Sequence, residues 1–295
     1  MRVSILGFGL IGGSIARALD SHAGDRTWHV SAWSRNPGPL AQAVSDGVLA
    51  SVAASLEEAI AGAELVILAA PPLECLDLVE ALGGRLRGRL PEDCTVTDVA
   101  SAKATIVAAA DRLSLPFIGG HPVVDLEVDD HGAARPDLFL GRPWVTVLGE
   151  RARFGDAERV GELVDACGAV PVPMKAAAHD AAVAAVSHLP LIVAAALIEA
   201  VAGGVGEPER EDWWAAEAVA SPGWAGMTRL AHGEPAVGAG LAATNAPAIS
   251  VRLRTMRSML DEWLVLLERQ PGPDVAGLLA RFEAARGRLA DADGR

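Results

Sequence analysis

Ser101, His121, His188 and Arg229 are the residues whose types and settings could do chemistry. A neutral imidazole takes up a proton near physiological pH, and a hydroxyl can hold the oxygen that releases it. Ser101 in DVASAK and His121 in GGHP therefore suit a general-base step on an alcohol. Each follows the expected end of a parallel strand, the edge at which open α/β sheets place their chemistry. On position alone His121 reads equally as a loop histidine satisfied by the backbone. His188 lies in Ser187-His188-Leu189-Pro190, where the proline is expected to kink a helix and turn the histidine toward a cavity; a buried histidine bonded to the backbone is the alternative. Arg229, within SPGWAGMTRLA, puts a guanidinium among apolar neighbours, suited to a carboxylate of a ligand or of a nearby surface acid.

These groups must be positioned by the fold that opens the chain, MRVSILGFGLIGGSIARAL. Arg2 to Leu6 reads as a buried strand, and Leu10 to Leu19 as a helix with apolar residues at helical spacing. Between them Gly7, Gly9 and Gly12 form G-x-G-x-x-G. The first glycine allows the tight turn, the second lets a pyrophosphate approach the backbone, and the third lets the helix lie close on the strand. The helix start at Leu10 and Ile11 then offers free N–H groups and the positive end of its dipole to phosphates. A dinucleotide site is expected, completed by Ala70 and Pro71 after a later strand and by Ser101. At the end of the second strand, His29 to Trp33, an acid would accept from the ribose 2′-hydroxyl of NAD. Here Ser34-Arg35-Asn36 stands instead, and a hydroxyl with a guanidinium suits the 2′-phosphate of NADP. NADP is the expected cofactor, with NAD as the other.

Further strands at Leu65–Ala69, Thr95–Val99, Pro116–Ile118, Trp144–Leu148 and Val170–Val172 alternate with helices, which predicts a Rossmann-type doubly wound parallel sheet over residues 1–173. After Pro173 the strands stop. Residues 174–295 read as an all-helical domain that starts with a largely apolar run, Met174 to Ala202, and a second copy of the chain is expected to cover its apolar faces in a homodimer. No uninterrupted apolar run is read as reaching transmembrane length, and no charged segment precedes a short apolar one, so a cytoplasmic protein without a membrane partner is expected. The net charge of −13 argues against nucleic acid and means that any anion site is local. Cys75, Cys94 and Cys167 are widely separated and read as core thiols, with no metal site expected. No attached regulatory domain is expected after Arg295.

Five stretches in order, GFGLIGGSIARAL, DVASAK, GGHP with DLFLGRPWVTV, HDAAVAAVSHLP and GMTRLA, resemble the motifs of the prephenate/arogenate dehydrogenase family over nearly the whole chain. The resemblance implies NAD(P)-dependent oxidative decarboxylation of a cyclohexadienyl substrate, prephenate or arogenate, to 4-hydroxyphenylpyruvate or tyrosine. It implies His121 as base on the C4 hydroxyl, titrating near the ordinary histidine value of about 6.5. Ser101 would hold the same oxygen, Arg229 would pair with the side-chain carboxylate, and His188 would line the pocket. Aromatisation drives such a reaction, so the protein chiefly orients the reactants and takes one proton. The sequence departs from the family at Val123-Val124-Asp125-Leu126 after G-H-P, at Leu191 where a second histidine follows S-H-L-P, and at Ala225 where a lysine often precedes T-R. These changes remove help for carboxylates and add Asp125 beside the site. They suit a substrate carrying an amine, such as 4-amino-4-deoxyprephenate, or else leave Asp125 in solvent. A 3-hydroxyacid dehydrogenase or imine reductase would place a lysine motif on the long helix, which here offers Ser187-His188. A catalytically silent NADP-binding regulator is the non-enzyme alternative.

Overall fold

A strand buried on both faces must be apolar at every position, and LVIL at β4 (Leu65–Leu68) satisfies this with all four side chains at 0% exposure. Leu65 and Ile67 point into one core with Val3, Ile5, Ile15, Trp144 and Val160. Val66 and Leu68 point into the other with Leu78, Leu82, Ile106 and Phe117. Truncating such a side chain to alanine costs about 2–5 kcal/mol. The computed structural model describes residues 1–21, 27–124 and 134–293. It forms two compact units, Met1–Ala246 and Pro247–Arg295.

In the first unit the elements run β1 (Arg2–Leu6), α1 (Leu10–Ser21), β2 (His29–Trp33), α2 (Gly38–Ser45), β3 (Ser51–Val52), α3 (Leu56–Ile60), β4, α4 (Pro72–Gly83), β5 (Thr95–Asp98), α5 (Ala104–Arg112), β6 (Phe117–Pro122), β7 (Pro143–Leu148), α6 (Phe154–Ala166) and β8 (Val170–Pro173). The sheet order is β3-β2-β1-β4-β5-β6-β7-β8, with helices on both faces, as a doubly wound sheet requires. Two features differ from the sequence reading. β7 runs antiparallel to β6, pairing His121 with Val145 and Pro122 with Trp144. That returning strand extends β6 past Ile118, so His121 sits within the strand rather than after it. The three cysteines are buried thiols, each pushed up to about 12 chiefly by burial.

The first unit continues through α7 (Ala176–Val183), α8 (Leu189–Ala202), α9 (Trp213–Ala218), α10 (Pro222–Thr228) and α11 (Pro235–Thr244). A π-helical turn, Ala184–His188, joins α7 to α8, and in it the Leu189 N–H donates to Ala184 O five residues back. The wider turn comes just before Pro190, which has no N–H to continue the ordinary ladder, and it takes the place of the expected simple kink. The continuous helical run Ala176–Ala202 has 27 residues and is by length and composition long enough to cross a membrane, although His179, Asp180, His188 and Glu199 interrupt its apolar residues. His179, Asp180 and His188 are all buried within the unit.

The second unit is a helical pair, α12 (Ala246–Leu267) and α13 (Val275–Asp293). Trp263 and Phe282 meet with ring centroids 4.9 Å apart, and Arg281 lies 5.6 Å over the Trp263 ring while pairing with Glu262. Val265 and Phe282 remain 70% and 65% exposed.

Candidate active site

The glycine turn is built as its spacing requires. Gly7 has φ +98°, and a Cβ there would lie 2.4 Å from Ala69 O. A Cβ on Gly12 would lie 2.6 Å from Gly7 O, so the helix can approach the strand only with glycine. Gly9 is exposed and a Cβ there would meet nothing within 4 Å, which leaves open space in front of the α1 N-terminus. No acid stands in the first turn of α1, so its leading N–H groups at Leu10 and Ile11 are electrostatically fit for phosphate. Ala70 and Pro71 follow β4 at the same edge. Beyond β2, the Ser34 hydroxyl accepts the Asn36 N–H at 3.2 Å, and Arg35 pairs with Glu74 of α4 at 3.2 Å. That carboxylate was not foreseen from the residues around Arg35.

At the other half of the sheet, β5 ends on the fully buried Asp98. Its carboxylate accepts the N–H groups of Gly120 at 3.0 Å and Ala100 at 2.9 Å and pairs with the Lys103 ammonium, which also donates to Gly120 O at 2.6 Å. Both polar groups of Gly120 are thus clamped to the segment between β5 and α5. A Cβ on Gly120 would lie 2.4 Å from Asp98 O, so only glycine permits this approach. The clamp fixes the next residue, His121. Ser101 sits half-buried in the clamped segment, between Asp98 and Lys103.

His121 Nδ1 lies 2.8 Å from Nε2 of His179, with the rings edge to face, and His179 Nδ1 lies 2.8 Å from Asp180 Oδ1. The Asp180 carboxylate also accepts the N–H groups of Lys103 at 2.7 Å and Ala104 at 2.8 Å, capping α5, which has no side-chain cap of its own. Burial works to raise the Asp180 carboxyl, but the bonds from His179, Lys103 and Ala104 outweigh it and hold it below the ordinary carboxylate range. Burial first, then the Lys103 ammonium, His179 and His188, push the His121 imidazole well below the ordinary histidine value. Burial likewise lowers His188, only partly opposed by Asp180. Asn245, just after α11, places Nδ2 2.9 Å from Asp180 O and 3.1 Å from His188 Nδ1. The arrangement is a neutral imidazole, His121, that can accept a proton from a group bound at the carboxyl edge of the sheet.

The structure therefore gathers His121 and His188 around Asp180 and places Ser101 in the adjoining loop. Arg229 opens a 3₁₀ turn, Arg229–His232, that packs on α8; it is exposed and makes no ion pair among the described residues. Asp125 lies outside the described residues. His179, Asp180, Asn245, Asp98 and Lys103 were not singled out from the sequence. Asp98 and Lys103 stand at the two ends of DVASAK, and His179-Asp180 opens HDAAVAAVSHLP, so those two motifs carried the available signal, while Asn245 had none.

Residues 15–172 match the family model for the nucleotide-binding domain of prephenate dehydrogenase, and residues 175–281 match that for its dimerization domain. The chain belongs to the prephenate dehydrogenase family. It is similar to the probable prephenate dehydrogenase NovF of Streptomyces niveus, 34% identical over 208 residues that make up 68% of this chain and 54% of that protein, so it spans about half of that relative's length. It is similar also to the prephenate dehydrogenase of Bacillus subtilis, 27% identical over 289 residues, 96% of this chain and 74% of that protein. Among solved structures it resembles the arogenate dehydrogenase of Synechocystis, 29% identical with a TM-score of 0.74, over 98% of this chain and all (100%) of that one.

Proposed function

We propose that this chain oxidatively decarboxylates prephenate or arogenate with NAD(P), NADP being preferred. The observation that carries the reading is His121, an imidazole held neutral by burial and Lys103 and anchored through one ring nitrogen to His179. It stands at the carboxyl edge of a sheet whose first turn is shaped for pyrophosphate. Gly7, Gly9, Leu10, Ile11, Gly12, Ala70, Pro71 and Ser101 would hold the dinucleotide, with Ser34 and Arg35 at the adenosine ribose. When bound, the nicotinamide supplies the acceptor for the C4 hydride. His121 takes the C4 hydroxyl proton, Ser101 steadies that oxygen, the ring carboxylate leaves as CO2 while the ring aromatises, and His121 returns the proton to the resulting phenolate oxygen. Arg229, which makes no ion pair among the described residues, receives the side-chain carboxylate, and His188 lines the same pocket. The helical domain, residues 174–295, covers its apolar faces in a cytoplasmic homodimer. The exposed Val186, Val265 and Phe282 fit that role.

A second substrate, 4-amino-4-deoxyprephenate, is the other reading; Leu191, half-buried and facing α11 near Gly238, offers no hydrogen bond where the family carries a second histidine. Rates with prephenate, arogenate and the 4-amino analogue, each with NAD and NADP, decide between them. Absence of turnover with all three would overturn the reading.

A further inference from the structure

We infer that Asp180 sets opposite hydrogen-bond polarities on the two site histidines, holding His121 as a proton acceptor through His179 and His188 as a neutral N–H donor, through Asn245, for a substrate carboxylate oxygen. The inference rests on His121 being the base and adds three positioning residues, Asp180, His179 and Asn245.

The first arm starts at the carboxylate. Both Asp180 oxygens accept main-chain N–H groups, from Lys103 and Ala104, so the group acts as an ionised acceptor. His179 Nδ1, 2.8 Å from Oδ1, must then carry the hydrogen, and in neutral His179 the other nitrogen, Nε2, is a lone pair. That lone pair faces His121 Nδ1 at 2.8 Å, so His121 carries its hydrogen on Nδ1 and leaves Nε2 open to receive a proton. When it does, the new imidazolium keeps its Nδ1–H bond to a chain that ends in an anion. The charged groups set around the pair are Asp98 at the end of β5, Lys103 just before α5, and Asp180 from α7. His188 adds the remaining titratable neighbour.

The second arm starts at the Asp180 main-chain carbonyl, which can only accept. Asn245 Nδ2 lies 2.9 Å from it and is therefore the amide nitrogen; the flipped amide would set oxygen against oxygen. The second amide hydrogen points to His188 Nδ1 at 3.1 Å, which must be a lone pair. The His188 hydrogen then sits on Nε2. That atom is buried and has no hydrogen-bond partner among the described residues. A buried N–H left without an acceptor is unfavourable, and a cyclohexadienyl dicarboxylate brings carboxylate oxygens. His188 in this tautomer has no lone pair to offer the site, so it cannot stand in for His121 as base.

The test uses the full chain labelled with ¹⁵N at histidine, free of cofactor, at neutral pH. Two-bond ¹H–¹⁵N correlations report which ring nitrogen is protonated, and the His121→Asn and His188→Asn variants assign the signals. His121 is expected as the Nδ1–H tautomer and His188 as Nε2–H; either histidine in the opposite tautomer in the native chain overturns the inference, the variants serving only to assign the signals. Asn245→Asp replaces the donor with an acceptor toward His188 Nδ1 and gives up the bond to Asp180 O, which a carboxylate must turn away from. It should switch His188 to Nδ1–H, leave the His121 pattern unchanged, and raise KM about tenfold or more with a smaller effect on kcat. An unchanged KM after the switch overturns the substrate contact. Should the tautomers be as stated while His121→Asn keeps its kcat, the polarity stands and the base reading falls.

Discussion

Replacing His121 by asparagine removes the proton acceptor while keeping a polar side chain of similar reach. An amide N–H can still donate to His179 Nε2, which His121 Nδ1 approaches at 2.8 Å, so the chain to Asp180 stays occupied. Losing a positioned general base costs roughly 10²–10⁴-fold in kcat. The pH dependence of the native enzyme gives the sharper magnitude. A base must be neutral to work, and a histidine at the ordinary value of about 6.5 is only about one-tenth neutral at pH 5.5, which would slow the reaction about tenfold. In this site burial, the Lys103 ammonium and the neighbouring His179 and His188 all disfavour the cation. A larger neutral fraction therefore survives at pH 5.5, the loss there must be smaller than about tenfold, and the acidic limb moves below the expected ordinary value. Initial rates of reduced-nicotinamide formation at saturating substrate and cofactor, from about pH 4.5 to 8, read this directly. The limb should vanish in His121→Asn. A native enzyme that loses tenfold or more by pH 5.5, or an asparagine variant within a few-fold of native kcat, would refute the assignment.

Arg35→Asp should move cofactor preference toward NAD, since a charge-assisted contact to the 2′-phosphate contributes about 1.5–3 kcal/mol. Glu74→Gln, which frees Arg35 from its ion pair, should move it toward NADP; kcat/KM for both cofactors checks each, and equal native efficiencies would sink the idea. Arg229→Lys keeps the charge but loses the two-pronged geometry, so KM should rise with little change in kcat, and an unaltered KM would make the arginine structural. Asp125→Gly should weaken an amine-bearing substrate relative to prephenate, because a carboxylate about 4 Å from an ammonium attracts it by several kcal/mol at intermediate dielectric before desolvation. An unchanged ratio of the two rates returns Asp125 to solvent.

The parts of the site legible in the sequence are those made by neighbours along the chain. Gly7, Gly9 and Gly12 lie within one turn, and the steric demand each meets, 2.4 Å at Gly7 and 2.6 Å at Gly12, comes from a strand–turn–helix unit that local pattern specifies. His121 was legible as a residue type, yet its place inside β6 depends on β7 returning antiparallel from residues 143–148, a pairing that no local pattern announces. Arg35 shows the same limit, because the acid that pairs with it arrives from α4 and sets up a competition with phosphate that Ser34-Arg35-Asn36 alone does not contain. His179, Asp180 and Asn245 were passed over as part of an apolar helical stretch and a loop end, since their meaning lies in bonds spanning 58, 77 and 57 residues. These long-range bonds have a further consequence for how the site can be probed. Asp180 orients His179 with the same carboxylate that caps α5, so truncating it would uncap a helix and release the histidine together. Its effects on stability and on rate would be inseparable. Asn245, just after α11, meets the site through His188 Nδ1 and the Asp180 main-chain carbonyl and not through the Asp180 carboxylate, so replacing it leaves the α5 cap in place and lets loss of proton polarity at His188 be read apart from loss of that cap.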